Sequence, residues 1–337
     1  MKKITALVLA IVLCLALVAC GAQPANQSGE PETNDEWEGI TLKLSTNLSS
    51  VDACTIELNK VADEIKTATD GKVVIEVYPN GELLTYAEAV EAINSDSNVI
   101  YYCGPSDWAD YCQNAVILAC PYVFDSIDQE VAFQESEVFQ SIMGELESKG
   151  IYCLQPGWIG GYRNIMCNKE ITCLDDLKGL TIRVPATVAH EGMASALGMN
   201  PAGMAWSDTL TAASQGSIDA AEGTWGTITS YSCWDYFKYV VMSRHILQAE
   251  CLWMSTNVWE SIPEEYRAII SEKMSAGQLE YVETVKTNED ALRAQAEEAG
   301  MTVIDLDLTE FKEAGSSVCT QFELGQQVLD TLKDIPA

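Results

Sequence analysis

The chain has 337 residues, 47% hydrophobic and 20% charged, enough for one large or two medium cores and too apolar for a disordered chain. Fifty Asp+Glu against 19 Lys+Arg give a formal net charge of −31, which opposes binding to nucleic acid or to anionic lipid surfaces. Any anion site must be a local positive island, so the few arginines carry the interest.

Met1-Lys2-Lys3, the apolar run Ile4–Val18 and Leu17-Val18-Ala19-Cys20 have the order of a secretion signal over residues 1–19. The last four resemble a bacterial lipobox, which implies cleavage before Cys20 and lipidation of its thiol. A membrane anchor is the alternative; the run is short for a span and no basic stop follows. Residues 20–38 are polar and without apolar periodicity, as a flexible tether would be. Losing residues 1–19 removes two lysines and no acid, so the mature chain is more acidic still.

Ile40–Ser45 alternates as a strand should, and Asn47 lies in the loop after it. Cys54, Leu58, Val61 and Ile65 mark a helix. Asp70-Gly71 turns into a strand at Lys72–Tyr78, a helix carries Tyr86, Val90 and Ile93, and Val99–Tyr102 is a third strand. This βαβαβ order implies a parallel sheet covered by helices. After a break at Pro121–Phe124, residues 128–149 read as one helix. Ile151–Leu154 is a strand, and the glycine-rich 157–163 is expected to cross to a second lobe, since glycines tolerate the dihedral changes of a hinge.

A second set of strands is expected at Asn164–Asn168, Leu180–Val184 and Ser217–Ala220, then at Tyr239–Met242 and Gln248–Ser255, with the return crossing near Leu247. From Pro263 to Ala299 no proline interrupts, which predicts a helix of about 50 Å or a helix pair broken at Gly277 or Asn288. Met301–Leu306 and Thr309–Lys333 complete the chain as strand and helix. The class is α/β: two lobes with mixed sheets, a hinge and a long helix spanning both. Lobe I takes 39–158 plus 248–287, and lobe II 159–247 plus 288–337.

Beyond Cys14 and Cys20 there are ten cysteines, with no CxxC pair, mostly among apolar neighbours. That pattern disfavours zinc. Disulfides are possible outside the cytoplasm; buried thiols acting as small hydrophobes are preferred.

Arg183 stands one residue from the end of its strand, and ligands of open α/β sheets sit beyond such ends. It can fork a carboxylate or form a structural ion pair with one of many acids. Around it run Leu-Lys-Gly-Leu-Thr-Ile-Arg-Val-Pro (177–185), Asn-Pro-Ala-Gly-Met-Ala-Trp-Ser (200–207) and Gly-Ser-Ile-Asp-Ala-Ala-Glu-Gly (216–223). In that order they resemble the extracytoplasmic solute-binding subunits of TRAP transporters, the DctP-type family, from about Gly39 to the C-terminus.

The resemblance implies that Arg183 bridges a ligand carboxylate and that Arg163 supports the same group. Trp206 takes the place of a cleft phenylalanine, and Asn47 matches a polar contact from the other lobe. Glu222, in the Asp219/Glu222 segment, lines the cleft wall. Gly223 and Ala186 stand where sialic-acid binders carry polar residues, which argues against that ligand. Trp225, Trp158 and Tyr101 are placed in the cleft, while Trp253 is read as core. An aromatic lining suggests an apolar or aromatic acid. His245 is taken as structural and His190 as solvated on a helix surface.

The resulting expectation is an extracytoplasmic, lipid-anchored, monomeric binding protein that closes on an organic acid and serves the small and large TRAP membrane subunits. No metal or cofactor is expected. The rivals are an ABC-type binding protein or sensor module and, without GxSxG, HExxH or P-loop, a secreted enzyme using Asp219/Glu222.

Overall fold

A computed structural model describes residues 37–337. The expected signal peptide, Cys20 and the tether up to residue 36 lie outside them. Among them no helix is long and apolar enough to cross a membrane.

The chain opens with β1 (Ile40–Ser45), α1 (Ala53–Ala68), β2 (Val73–Tyr78), α2 (Tyr86–Asn94) and β3 (Val99–Cys103). The predicted βαβαβ unit is present: β1 pairs in parallel with both β2 and β3. Asp52 caps α1 by accepting from the Cys54 N–H at 2.8 Å. Cys54, Leu58, Val61 and Ile65 face inward as their spacing predicts. Two short 3-10 turns, Pro105–Trp108 and Gln113–Ala119, follow.

The helix expected over 128–149 is two, α3 (Ile127–Phe133) and α4 (Glu137–Glu147). Ser126 and Ser136 each accept a backbone N–H at a helix start, and a serine cap at Ser136 ends any continuous run there.

β4 (Ile151–Cys167) is a single 17-residue strand where two strands and a crossing were expected. Then come β5 (Thr181–Val184), α5 (Val188–Ala196), β6 (Asn200–Gly203), α6 (Trp206–Ser214), β7 (Ala220–Gly223), α7 (Trp225–Ser230) and β8 (Tyr239–Ser255). β6 was not expected because of Pro201; it is the edge strand of the sheet, where proline is tolerated. β7 starts three residues later than the segment anticipated at Ser217–Ala220 and overlaps it only at Ala220.

The sheet runs β2-β1-β3-β8-β4-β7-β5-β6. Its spine is the long antiparallel β4–β8 ladder. β3 pairs with the C-terminal half of β8 and β7 with the C-terminal half of β4, so each long strand serves both halves of the sheet. Residues 157–163 and the neighbourhood of Leu247, expected as crossings, thus lie within strands and not in loops. The ladder is repeatedly bulged. Gly157 and Gly161 take φ of +77° and +91°, backbone that favours glycine. Between the pairs Arg163–Ile246 and Ile165–Val241, β8 carries the extra residues and Arg244 adopts φ +43°.

After α8 (Thr256–Ser261), α9 (Glu264–Glu298) is one unbroken 35-residue helix. Gly277 does not break it. A β-carbon there would lie 2.2 Å from Val61 of α1, so the glycine lets the two helices approach. β9 (Thr302–Ile304) pairs with β8. The final helix is split into α10 (Thr309–Ser316) and α11 (Gly325–Lys333), where Gly325 packs on the Cys319 carbonyl.

One core gathers Trp108, Phe133 and Trp253 on the β3 side, as read for Trp253. Two others pack Ile182, Val184 and Met193, and Met166, Trp225 and Phe237, around the β5–β7 half. All ten cysteines among the described residues are free thiols, eight of them buried.

Candidate functional site

Two buried arginines, Arg163 on β4 and Arg183 on β5, stand on the strands that flank β7 in the sheet. Arg163 on β4 and Glu222 on β7 belong to neighbouring strands whose ladder spans Asn164–Cys167 and Ala220–Gly223. The guanidinium holds the carboxylate by a two-pronged contact along one edge: Nη2 donates to Oε1 at 2.6 Å and Nε donates to Oε2. Nη1 donates to Gln248 Oε1 at 2.6 Å, and Nη2 also reaches the Glu222 carbonyl at 3.3 Å.

Beneath the pair, His245 Nε2 lies 3.3 Å from Glu222 Oε2, and its Nδ1 is 2.9 Å from Ser243 Oγ. The bulged stretch of β8 supplies both residues. Burial alone would raise the Glu222 carboxyl; the charge and hydrogen bonds of Arg163, joined by His245, hold it well below the usual carboxylate range. Burial lowers His245, in keeping with a neutral structural imidazole.

Arg183, on β5, is only 4% exposed. Nε and Nη2 donate to the Met204 carbonyl at 3.1 and 2.7 Å. The Trp206 ring, at the start of α6, covers the guanidinium at 5.2 Å, a cation–π contact. No carboxylate among the described residues pairs with it, and Nη1 has no hydrogen-bond partner among them. The ion-pair alternative is therefore not found among the described residues. Burial lowers this arginine to about 10, with the Glu222 charge opposing and that of Arg163 assisting; it stays a cation.

From Trp206 a row of groups runs to the β1 side. Trp206 and Tyr231 lie 5.3 Å apart, and the Tyr231 hydroxyl donates to the Asn47 carbonyl at 2.7 Å. Asn47 thus meets the row through its main chain. Its side chain faces Tyr101, which is buried beside Tyr86.

Other expected site residues stand elsewhere. Trp158 is fully buried, 5.9 Å from Tyr281 of α9; it is core, because its position in β4 turns it to the long helix. Trp225 opens α7 and lines a cavity of about 290 Å³ with Asp52, Gly160 and residues of α9; neither arginine is among its lining residues. Asp219 is exposed and accepts the Thr181 N–H at 2.8 Å, so it does not stand with Glu222. His190 is not solvated: it is 8% exposed, because the first turn of α5 points inward.

A second cavity, about 60 Å³, abuts Arg163 and is lined by Gly104, Ser106, Asp107, His190, Gln248 and Glu250 among others. Sequence reasoning passed over most of these. One signal was available: Gln248 and Glu250 are polar alternate residues inside the apolar run Ile246–Trp253, the period of one strand face. Burial pushes Asp107 up to about 6, and burial with the Asp107 charge pushes Glu250 up to about 8. No group of three or more His, Cys, Asp or Glu among the described residues is placed to hold a metal ion.

Residues 44–324 match the family model of DctP, the bacterial extracellular solute-binding proteins of family 7. A TRAP periplasmic solute-binding protein from Desulfovibrio salexigens, solved with diglycerolphosphate, superposes with a TM-score of 0.85 at 28% identity, over 88% of this chain and 97% of that one. The C4-dicarboxylate-binding periplasmic protein of Rhodobacter capsulatus is 27% identical over 258 residues, 75% of this chain and 76% of that protein. The sialic acid-binding periplasmic protein of Vibrio cholerae is 24% identical over 297 residues, covering 87% and 92%.

Proposed function

We propose a function from one premise: the chain belongs to the DctP family of bacterial extracellular solute-binding proteins, a family of binding proteins and not of enzymes. Its solute is a small organic acid, and the carboxylate binds the open edge of Arg183. The observation that carries this is a buried cation in a chain of net charge −31 with no acid paired to it. A buried charge without a partner is costly, and an incoming carboxylate removes that cost. The relatives named above support an anion, two by carboxylates and one by a phosphate ester.

Arg163 acts through Glu222 and Gln248 as the fixed wall of the site. Lobe I (39–158 plus 248–287) and lobe II (159–247 plus 288–337) close about the glycine-bearing β4–β8 ladder. Tyr231 and Asn47 meet when they do. Closure excludes water and strengthens the arginine–carboxylate pair. The monomeric closed form docks on the small and large TRAP membrane subunits, with Cys20 as the lipid anchor.

A thermal-shift screen of organic acids on the mature protein tests this reading. A binder raises the melting point by mass action, and Arg183→Ala should abolish the rise. Shifts that survive Arg183→Ala would refute the role given to this arginine, and turnover of the bound acid would favour an enzyme.

A further inference from the structure

We propose that the solute carries an ammonium group besides its carboxylate, and that Glu250, Asp107, Ser106 and His190 receive it in the cavity beside Arg163. The proposal rests on Arg183 as the carboxylate receptor, but the two can fail separately.

The Oε2 atom of Glu250 is buried and has no hydrogen-bond partner among the described residues. A β-carbon on Gly104 would lie 3.1 Å from Glu250 Oε2, 3.3 Å from Asp107 Oδ2 and 3.6 Å from Ser106 Oγ. Three oxygens therefore border one spot, which is open because residue 104 has no side chain. His190, buried on the same cavity, has its Nδ1 2.7 Å from Thr187 Oγ1; its Nε2 has no partner among the described residues. With the proton on Nδ1, Nε2 is a further acceptor.

Donors are few there. Arg163 lines the cavity, yet its N–H groups go to Glu222 and Gln248, and the Gln248 amide is taken up by Glu250, leaving Oε2 of that carboxyl without a partner among the described residues. The wall is thus rich in acceptors and carries two carboxyl groups. Its complement is a compact cation with several N–H donors, and an ammonium has three. The cavity, about 60 Å³, is several times the roughly 10–15 Å³ that holds one water on a probe-based measure, so it has room for a small head group. A hydroxyl would bring one donor and no charge. A metal ion is not favoured: among the described residues no group of three or more His, Cys, Asp or Glu, His190 with these two carboxyls included, is placed to hold one.

The chemistry adds a pH signature. Glu250 and Asp107 lie high for carboxyls, at about 8 and about 6. An ammonium favours their charged forms, so its binding expels protons and strengthens as pH rises from 6 to 8.

Titration calorimetry on the mature protein, with matched sets of acids sharing one skeleton and bearing an amino group, a hydroxyl or hydrogen, decides the matter. Both α- and ω-substituted sets are needed. Wild type should bind the best amino acid at least tenfold more tightly than its hydroxy and unsubstituted partners, and more tightly at pH 8 than at pH 6. Glu250→Gln, and independently Asp107→Asn, should reduce that preference to threefold or less while the unsubstituted acid still binds.

Equal binding of amino and unsubstituted acids, all lost in Arg183→Ala, would overturn the ammonium pocket and leave the carboxylate role standing. So would binding of unsubstituted acids that requires added sodium or calcium. If no acid of any kind binds, both proposals fall.

Discussion

Arg163 and Arg183 sit on strands of one sheet, both buried, in surroundings of opposite design. Around Arg163, Glu222 and Gln248 occupy both edges of the guanidinium, and Ser243 and His245 close the floor. Around Arg183, one edge rests on a neutral carbonyl, an indole covers the face, and Nη1 has no partner among the described residues. The first arrangement neutralises its charge internally and needs nothing further. The second leaves a charge without an internal counter-ion, which is the ground for proposing it as the receptor of the solute. Residue type and burial alone do not separate support from receptor; the inventory of partners does.

The sharpest way to break this contrast is to remove the first arginine. Arg163→Met leaves Glu222 buried at zero exposure without its partner. Breaking a buried pair on one side costs about 3–5 kcal/mol, so urea unfolding should show a loss of that order. The double variant Arg163→Met/Glu222→Leu should recover most of it, since replacing both partners by apolar groups is often close to neutral. A double variant as unstable as the single one would mean that the network does more than satisfy itself.

Arg183→Met should do the reverse. No buried acid is left behind, and the lost charge-assisted contact to the Met204 carbonyl (about 1.5–3 kcal/mol) is offset by removal of a buried cation without a counter-ion, so the net change in folding stability should be about 1 kcal/mol or less. Affinity for an organic acid should fall by about 2–5 kcal/mol, or roughly 30-fold to several thousand-fold. Equal losses in stability and affinity, measured by denaturation and calorimetry, would erase the distinction between the two arginines.

The same contrast explains what the sequence could disclose. The first βαβαβ unit was readable because each element keeps its own period and its own caps. The long helix was readable because no proline enters it. The β4–β8 spine was not, since bulges at Gly157, Gly161 and Arg244 interrupt the alternation that marks a strand. Arg183 could be picked out from its place at a strand end and from motif resemblance. The saturation of Arg163 could not, because Glu222, Gln248 and His245 come together only through strand register. Trp158 and His190 were misplaced for a related reason: composition says that a residue is aromatic or titratable, not which side of a bulged strand or short helix it takes.

Two buried carboxyls extend the comparison to pH. Glu222 lies below its ordinary range, so its contribution is present above the unfolded-state value and is lost as pH falls through the folded one. Glu250 lies above its ordinary 4.5, at about 8. Between those values the folded chain holds a proton that the unfolded chain has released, so stability falls as pH rises from 5 to 8. Melting curves of the solute-free protein should therefore decline over that window, and Glu250→Gln should flatten the decline. An unchanged slope in the variant would assign it to other groups.

The smallest effect belongs to the row that leads away from Arg183. The Tyr231 hydroxyl donates to the Asn47 carbonyl at 2.7 Å, joining α7's end to the loop after β1. The acceptor is main chain, so Asn47→Ala leaves the bond intact while Tyr231→Phe removes it. A net hydrogen bond is worth about 0.5–1.5 kcal/mol. If it forms only on closure, Tyr231→Phe should leave urea unfolding of the solute-free protein nearly unchanged and weaken solute binding about 2- to 10-fold, chiefly through faster release. Asn47→Ala should retain more affinity than Tyr231→Phe. The opposite ranking would show that the asparagine side chain, and not the tyrosine reaching across to its backbone, holds the two sides together.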